Sequence, residues 1–409
     1  MNELLTDEII AKEALMIVEN NLQITRLINR RWEGRFAQEG KKIGDHLDIR
    51  LPVRWEGREG EAMIIEGAKE TTVTLKIDKL IGQDLSFSNV DLTLKIEQFR
   101  ERYLETASAA IANRIDAWIA EGYIDCPNFA GAPGTVPSSL DTYFDASVVL
   151  SNYGVPTNSR SVVLSPRMEA TIVNALKGLF QAAQAIAEQY KTGSMGHVIG
   201  FDWYMDQNMR NHTVGPLGGA PTVNGAGQSG STVITANWTA AAANRLKKGD
   251  VLTFGTVTAG SLGVNPQPPR DSTGELRQVV VTEDVDSDGA GAAVIPIFPA
   301  IKTAGPYKNV SQSPPNGAAV LTFGHASNFA SKVTRQGMAF HKEWMTAAFV
   351  DLDLPGGMEM SARAKSRKLN ISIRIVKGYD IKTNQQLCRL DVLCGKKQTY
   401  EDFGCRIAS

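Results

Sequence analysis

Several stretches of this chain carry residue types that could do chemistry, and each lacks something the chemistry needs. The order Gly225-Ala226-Gly227-Gln228-Ser229-Gly230 has the spacing of a dinucleotide-binding turn. Such a turn works only with a strand before it and a helix after it, so that helix N-terminal amides meet a pyrophosphate. Pro221 precedes it and a Thr/Val/Ile stretch follows, so a loop is predicted. Asp284-Val285-Asp286-Ser287-Asp288-Gly289 copies the opening of a calcium-binding loop, but the twelfth position, which should supply a bidentate Glu, is Ile295. Because Asp-Gly is a strong turn pair, a hairpin turn is predicted, with cation binding left open. The five histidines, His46, His197, His212, His325 and His341, stand apart, with no HExxH and no Cys/His grouping. No GxSxG elbow places a base beside a nucleophile. No catalytic residue, cofactor site or metal site is therefore expected.

Cys126, Cys388, Cys394 and Cys405 form no CxxC pair, and reduced thiols are expected. Cys388 and Cys394 share the parity of Leu390 and Val392, the apolar face of a strand, while Arg389 and Asp391 share the other face. Two basic clusters remain. Arg26, Arg30, Arg31 and Arg35 recur at helical spacing, and Arg363, Lys365, Arg367 and Lys368 lie close together. They read either as solvated faces or as contacts for an acidic partner or for DNA phosphates.

The elements that must carry these residues fall into several segments. At 409 residues the chain exceeds what one growing core accommodates, which predicts two or three compact units. Lys+Arg 43 against Asp+Glu 44 gives no bulk attraction for polyanions. The acidic start, Met1 to Glu8, does not suit a secretory signal, and no apolar run is long enough to span a bilayer. Residues 7–35 read as one helix, from Ile10, Ala14, Ile17, Val18, Ile24, Leu27 and Ile28, with Thr6 or Asp7 as cap. A period-two strand follows from His46 to Trp55, then a charged, glycine-rich tip from Glu56 to Glu61 and a return strand around Thr72 to Ile77. Pro52 lacks an amide, so this long hairpin belongs at an edge, and its apolar face needs a cover.

A second helix is predicted from Asp91 to Gly122, on the steps of Ile96, Phe99, Tyr103, Ala107, Ile111, Ile115, Trp118 and Ile119. A strand at Ser161–Leu164, a helix from Ser165-Pro166 and an alanine-rich helix around 181–190 come next. Between about Gly215 and Phe329 the composition turns to Gly, Pro, Ser, Thr and Asn. Short strands are predicted at Ser231–Ile234, Asp250–Phe254, Gln278–Thr282, Val294–Phe298 and Ala319–Phe323, which suggests a small barrel or sandwich inserted into an α/β pattern. Alternation returns at Leu369–Ile375 and Cys388–Cys394. The arm, hairpin and insert look like unfinished surface. Ordering them costs roughly 1–2 kcal/mol per residue, which neighbouring copies would have to offset.

Taken in order, several segments resemble the major capsid proteins of tailed bacteriophages with the Hong Kong 97-type fold. They are the arm, Lys41-Lys42-Ile43-Gly44-Asp45 before the strand ending Leu51-Pro52-Val53-Arg54, the helix from Asp91, Gly154-Val155-Pro156 before Arg160 to Pro166, and Gly200-Phe201-Asp202. The ending Ile373 to Asp380 with Cys388 to Gly395 matches as well. The insert with Leu246 to Phe254 is similar to the extra domain of the Salmonella podophage coat-protein branch.

The resemblance implies an α+β chain in five parts: an N-terminal arm (1–40), an extended hairpin loop (41–80), a peripheral domain with a spine helix (81–135 and 336–360), an axial domain (136–214 and 361–409) and an inserted all-β barrel-like domain (215–335). It implies self-assembly through hexamers and pentamers into the icosahedral head shell around double-stranded DNA, inside a host bacterial cytoplasm, without catalysis and without a membrane. A scaffolding protein and a portal are implied partners, a decoration protein is an open one, and packaged DNA is only a non-specific neighbour. Trp55, Arg58, Glu59, Glu61 and Met63 become candidate inter-subunit contacts, and Arg26, Arg30, Arg31 and Arg35 candidate scaffold or DNA contacts. Features of relatives that cross-link, or that cleave a long N-terminal region, are not found. The rival readings are a non-viral encapsulating shell of the same fold and, more remotely, a hydrolase or carbohydrate-binding protein with a convergent polar pocket.

Overall fold

The computed structural model describes residues 7–31, 46–58, 60–63, 65–68, 70–88, 104–176, 196–240, 243–324, 329–358, 360–366, 369–382 and 385–409. The chain divides into two units, one from Met1–Arg50, Thr72–Ala120 and Met345–Thr399, the other from Leu51–Thr71, Glu121–Trp344 and Tyr400–Ser409.

The strand Gln385–Gln398 is the axis of the first unit. Lys79–Ser88, Ser372–Asp380 and Met345–Val350 all pair with it antiparallel, and Met360–Lys365 extends the sheet beyond Ser372–Asp380. The alternation around Cys388–Cys394 thus lies in its most heavily paired strand. The other predicted strand runs at Ser372–Asp380, a few residues later than Leu369–Ile375. Leu390, Val392 and Cys394 are buried as parity requires, but the opposite face is covered too. Asp391 is fully buried and binds Arg374 Nη2 at 2.6 Å and Arg389 Nε at 2.9 Å. Opposite Asp391 in register stands Gly82, where a Cβ would lie 2.6 Å from the Asp391 Oδ1. Only glycine leaves that carboxylate room.

Helix α1 (Asp7–Asn21) packs on helix α3 (Glu105–Ala120) and on the strand Met360–Lys365, burying Ala11, Ala14, Leu15 and Val18. Three expectations are corrected here. The N-terminal helix does not run from Asp7 to Arg35: it stops at Asn21, and a single turn, α2 (Ile24–Leu27), follows. The break has a cause on α3. The buried Asp116 carboxylate accepts the Gln23 amide at 2.6 Å, the Thr25 amide at 3.0 Å and the Thr25 hydroxyl at 2.6 Å. Those donors would otherwise have served a continuous helix. The segment is also not unfinished surface, because its apolar face is buried by its own chain. Third, the helix predicted to reach Gly122 ends at Ala120, and Gly122 lies in the 3-10 turn Glu121–Asp125 that follows. Ile96, Phe99 and Tyr103 lie outside the described residues.

Among the described residues the hairpin strands His46–Leu51 and Thr71–Lys76 pair only with each other. Leu47, Ile49, Leu75 and Ile77 nevertheless pack on Ala348, Leu352 and Leu393, so the base of the hairpin is covered within the subunit, contrary to expectation. The strand ends at Leu51, not Trp55, because Pro52 cannot donate to a ladder.

In the second unit a six-stranded antiparallel sheet runs in the order Val320–Thr322, Val251–Phe254, Val279–Val281, Ala293–Ile301, Gly230–Trp238, Gly219–Val223. Its two edges meet: Thr222 bridges Ala319, and Val223 N donates to the Ala318 carbonyl at 2.9 Å. Each of the five predicted short strands is present in this nearly closed barrel, around Val233, Phe254, Val281, Ile295 and Ile297. Beside it are a mixed sheet of Phe129–Ala130, Gly404–Ala408, Val333–His341, Arg160–Leu164, Phe201–Met205, His197–Val198 and Asn211–Thr213, and two short pairs, Asn244–Leu246 with Val285–Asp286 and Leu262–Val264 with Ser272–Leu276. Helices α4 (Asp141–Asn152) and α5 (Pro166–Leu176) accompany the mixed sheet. Tyr143, Leu150, Val162, Met168, Phe201 and Trp203 fill the core there. Barrel and sheet are joined by the buried pair Arg277–Asp402 at 2.7 Å, with the guanidinium 4.5 Å from the Tyr153 ring centre.

Candidate functional site: an exposed hairpin loop

The loop Leu51–Thr71 groups with the barrel unit. Its tip is shaped by its own side chains. The Glu66 carboxylate accepts the amides of Glu56 and Gly57, each at 2.8 Å, and Arg58 donates to the carbonyls of Gly60 and Ala62. Gly57 and Gly60 take positive φ, +76° and +89°, which a side chain would strain. Loops of the barrel unit hold the near end: Arg270, in the turn between Leu262–Val264 and Ser272–Leu276, donates Nη2 to the Trp55 carbonyl at 2.7 Å, and the Arg54 guanidinium sits 5.7 Å from the ring centre of Tyr307, in the loop after barrel strand Ala293–Ile301.

Of the predicted contact residues, Trp55, Arg58, Glu61 and Met63 are exposed in this loop, and Glu59 lies outside the described residues. Ile65, 83 % exposed, was missed although it continues the parity of Met63. Arg270 and Tyr307 were also missed, since nothing in the sequence ties residues so distant to the hairpin.

The arginines Arg26, Arg30, Arg31 and Arg35 do not form one helical face, because the helix breaks at Asn21. Arg26 bonds the Glu19 carbonyl, Arg30 is half-buried, Arg31 is exposed, and Arg35 lies outside the described residues. In the second basic cluster Arg363 donates to the Leu352 carbonyl at 3.2 Å and Lys365 lies 3.8 Å from Asp351, while Arg367 and Lys368 lie outside the described residues.

The chemistry-like motifs resolve as structure. Residues 224–229 form a loop between two barrel strands, stapled by Gln228, whose amide bonds the carbonyls of Asn224, Gly225 and Ile234 and accepts the Ile234 amide. In the acidic turn, Asp288 accepts the amides of Ala290 and Ala292, and Asp284 accepts the Lys248 amide. Their carboxylates thus point at backbone. His212 Nε2 lies 2.8 Å from Asp250 Oδ1 in a buried pair, and burial lowers the imidazole pKa despite that partner. The four cysteines are free and buried, with the thiols of Cys126 and Cys394 pushed up to about 12 by desolvation, far from thiolate reactivity. A groove of about 590 Å³ on the five-stranded sheet is lined by Leu85, Met358, Val376, Tyr379, Leu387 and Cys388 among others. Arg389 on its rim is committed to Asp391 and Asp84.

A family model described as P22 coat protein, gene protein 5, matches residues 1–404. The chain belongs to that family. It is a phage coat protein with a mixed α+β fold, and its function is to form the head shell. Among solved structures the coat protein is similar to one from Mycobacterium phage Che8, at 13% identity, covering 94% of this chain and 90% of that one with TM-score 0.46. It is also similar to the capsid of Ralstonia phage GP4, at 10% identity, 95% and 88% coverage and TM-score 0.46. A virus-like particle from Pyrococcus furiosus is similar at 5% identity, 97% coverage of both chains and TM-score 0.39. A search of the curated proteins gave no match.

Proposed function

We propose that this coat protein builds its shell from hexamers and pentamers of itself around double-stranded DNA, in a bacterial cytoplasm, with a scaffolding protein and a portal as assembly partners. The match to the coat-protein family over residues 1–404 carries the reading and favours it over a non-viral encapsulating shell. The protein acts as a structural element, not an enzyme. In this reading residues 1–40 are the arm, 41–80 the extended hairpin, 81–135 with 336–360 the peripheral domain, 136–214 with 361–409 the axial domain and 215–335 the inserted barrel.

The hairpin loop serves the contact between copies. Its tip combines exposed apolar groups, Trp55 and Met63, with Arg58 and Glu61, a mixture suited to the rim and centre of a protein interface. Arg26, Arg30, Arg31 and Arg35 are the basic residues offered to an acidic scaffold or to DNA, and Arg26 follows directly on the turn that Asp116 holds through Gln23 and Thr25. Deleting residues Trp55 to Met63 is expected to leave a folded subunit by circular dichroism and to abolish shells in sedimentation. Unchanged shell yield would refute the role of the loop.

A further inference from the structure

The hairpin loop is held by backbone and displayed by side chain. Arg270 is 8 % exposed, and its Nη2 bridges two carbonyls, Trp55 of the loop at 2.7 Å and Pro306 of the barrel at 2.9 Å. Beside it the Tyr307 ring carries two cations, the Arg54 guanidinium at 5.7 Å and the Lys302 ammonium at 5.3 Å from its centre. Farther along, Glu66 closes the loop on the amides of Glu56 and Gly57. With the backbone fixed at these points, Trp55, Met63 and Ile65 still face solvent, at 48 %, 78 % and 83 % exposure.

An interaction made by a flexible loop loses affinity to the ordering of that loop, and a loop ordered beforehand avoids much of the loss. We propose that each subunit clasps its own hairpin loop onto its own barrel, through Arg270 and Tyr307, and thereby presents Trp55, Met63 and Ile65 already ordered to a neighbouring copy of this chain. The inserted barrel then acts in assembly as a support for the loop. The inference rests on the shell-forming reading. It adds that loop readiness is set within the subunit, before any neighbour arrives.

The test compares the full-length wild-type chain with Arg270→Ala and Tyr307→Ala. Cleavage by trypsin after Arg54 and Arg58 is followed by mass spectrometry on unassembled subunits, and shell yield is followed by sedimentation against subunit concentration. A charge-assisted hydrogen bond lost from a buried donor predicts roughly tenfold faster cleavage, and a roughly tenfold higher concentration for shell formation, in Arg270→Ala. Tyr307→Ala, which removes the ring that Arg54 and Lys302 share, should shift both in the same direction by about threefold. It serves as the working variant if Arg270→Ala destabilises the barrel. If wild-type protein forms no shells, either alone or with scaffolding protein added, the shell reading itself is refuted. If wild-type shells form and folded variants are cleaved and assemble as wild type does, the clasp is overturned. Faster cleavage with unchanged assembly overturns its presenting role.

Discussion

Replacing Arg277 by Met tests how the barrel is fastened to the sheet beside it. The guanidinium and the Asp402 carboxylate are 2.7 Å apart and almost fully buried. Burial works to lower the arginine pKa, but Asp402 together with Tyr153 and Glu401 outweighs it, so the net shift is upward. Removing the cation leaves Asp402 charged, desolvated and next to Glu401. Breaking such a buried pair typically costs about 3–5 kcal/mol, because the abandoned charge loses its partner without regaining water. For a unit of this size that corresponds to a fall in midpoint of roughly 6–20 °C. Arg406 supplies the contrast. It is equally buried, flanked by the Tyr123 and Phe323 rings at 5.8 Å each, and its guanidinium nitrogens meet no hydrogen-bond acceptor among the described residues. Arg406→Met should therefore be neutral or stabilising. Calorimetry of the two single variants and of Arg277→Met with Asp402→Leu decides the matter. The double variant should recover most of the loss. The reasoning is refuted if Arg277→Met costs less than about 1 kcal/mol, or if the double variant is no more stable than the single one.

Asp116→Ala removes three hydrogen bonds to the segment after α1. At about 1.5–3 kcal/mol for a bond to a charged group, and allowing for non-additivity, a loss of about 3–5 kcal/mol is expected, with earlier proteolysis between Asn21 and Asn29 than elsewhere. Resistance equal to wild type would show that apolar packing alone holds the segment. Burial and the adjoining Asp402 raise the Glu401 pKa from 4.5 to about 7, against the pull of Arg277, Arg54 and Lys302. A folded-state pKa above the unfolded one gives a stabilisation that is complete below pH about 4.5 and is lost as pH rises to about 7. Melting temperature should fall across that window in wild type and change less in Glu401→Gln. Parallel curves would contradict it.

What the sequence conveyed and what it hid follow from range. The five barrel strands were legible because each is a short apolar run between turn residues, and closure of the barrel needed only antiparallel neighbours. Loops that imitated nucleotide and calcium sites were legible as loops from their flanks. The end of the first helix was not, because its terminator is a carboxylate on α3, 93 residues along the chain from the Gln23 amide it accepts. The covered base of the hairpin was hidden for the same reason: Leu47 and Ile49 read as an orphan face until Ala348 and Leu393 arrive against them. At the candidate site, the exposed tip could be read from its charge and glycine content. Arg270 and Tyr307 could not, since an arginine bonding two carbonyls carries no local signature. Nor could Asp391, whose buried pairing depends on Gly82 in a distant strand.

The most direct test of the whole account is negative-stain electron microscopy of the purified coat protein, alone and with the proposed scaffolding protein. Closed, uniform shells of hexamers and pentamers are expected in at least one of the two samples. Discrete monomers under every assembly condition, with scaffold present, would contradict the central claim.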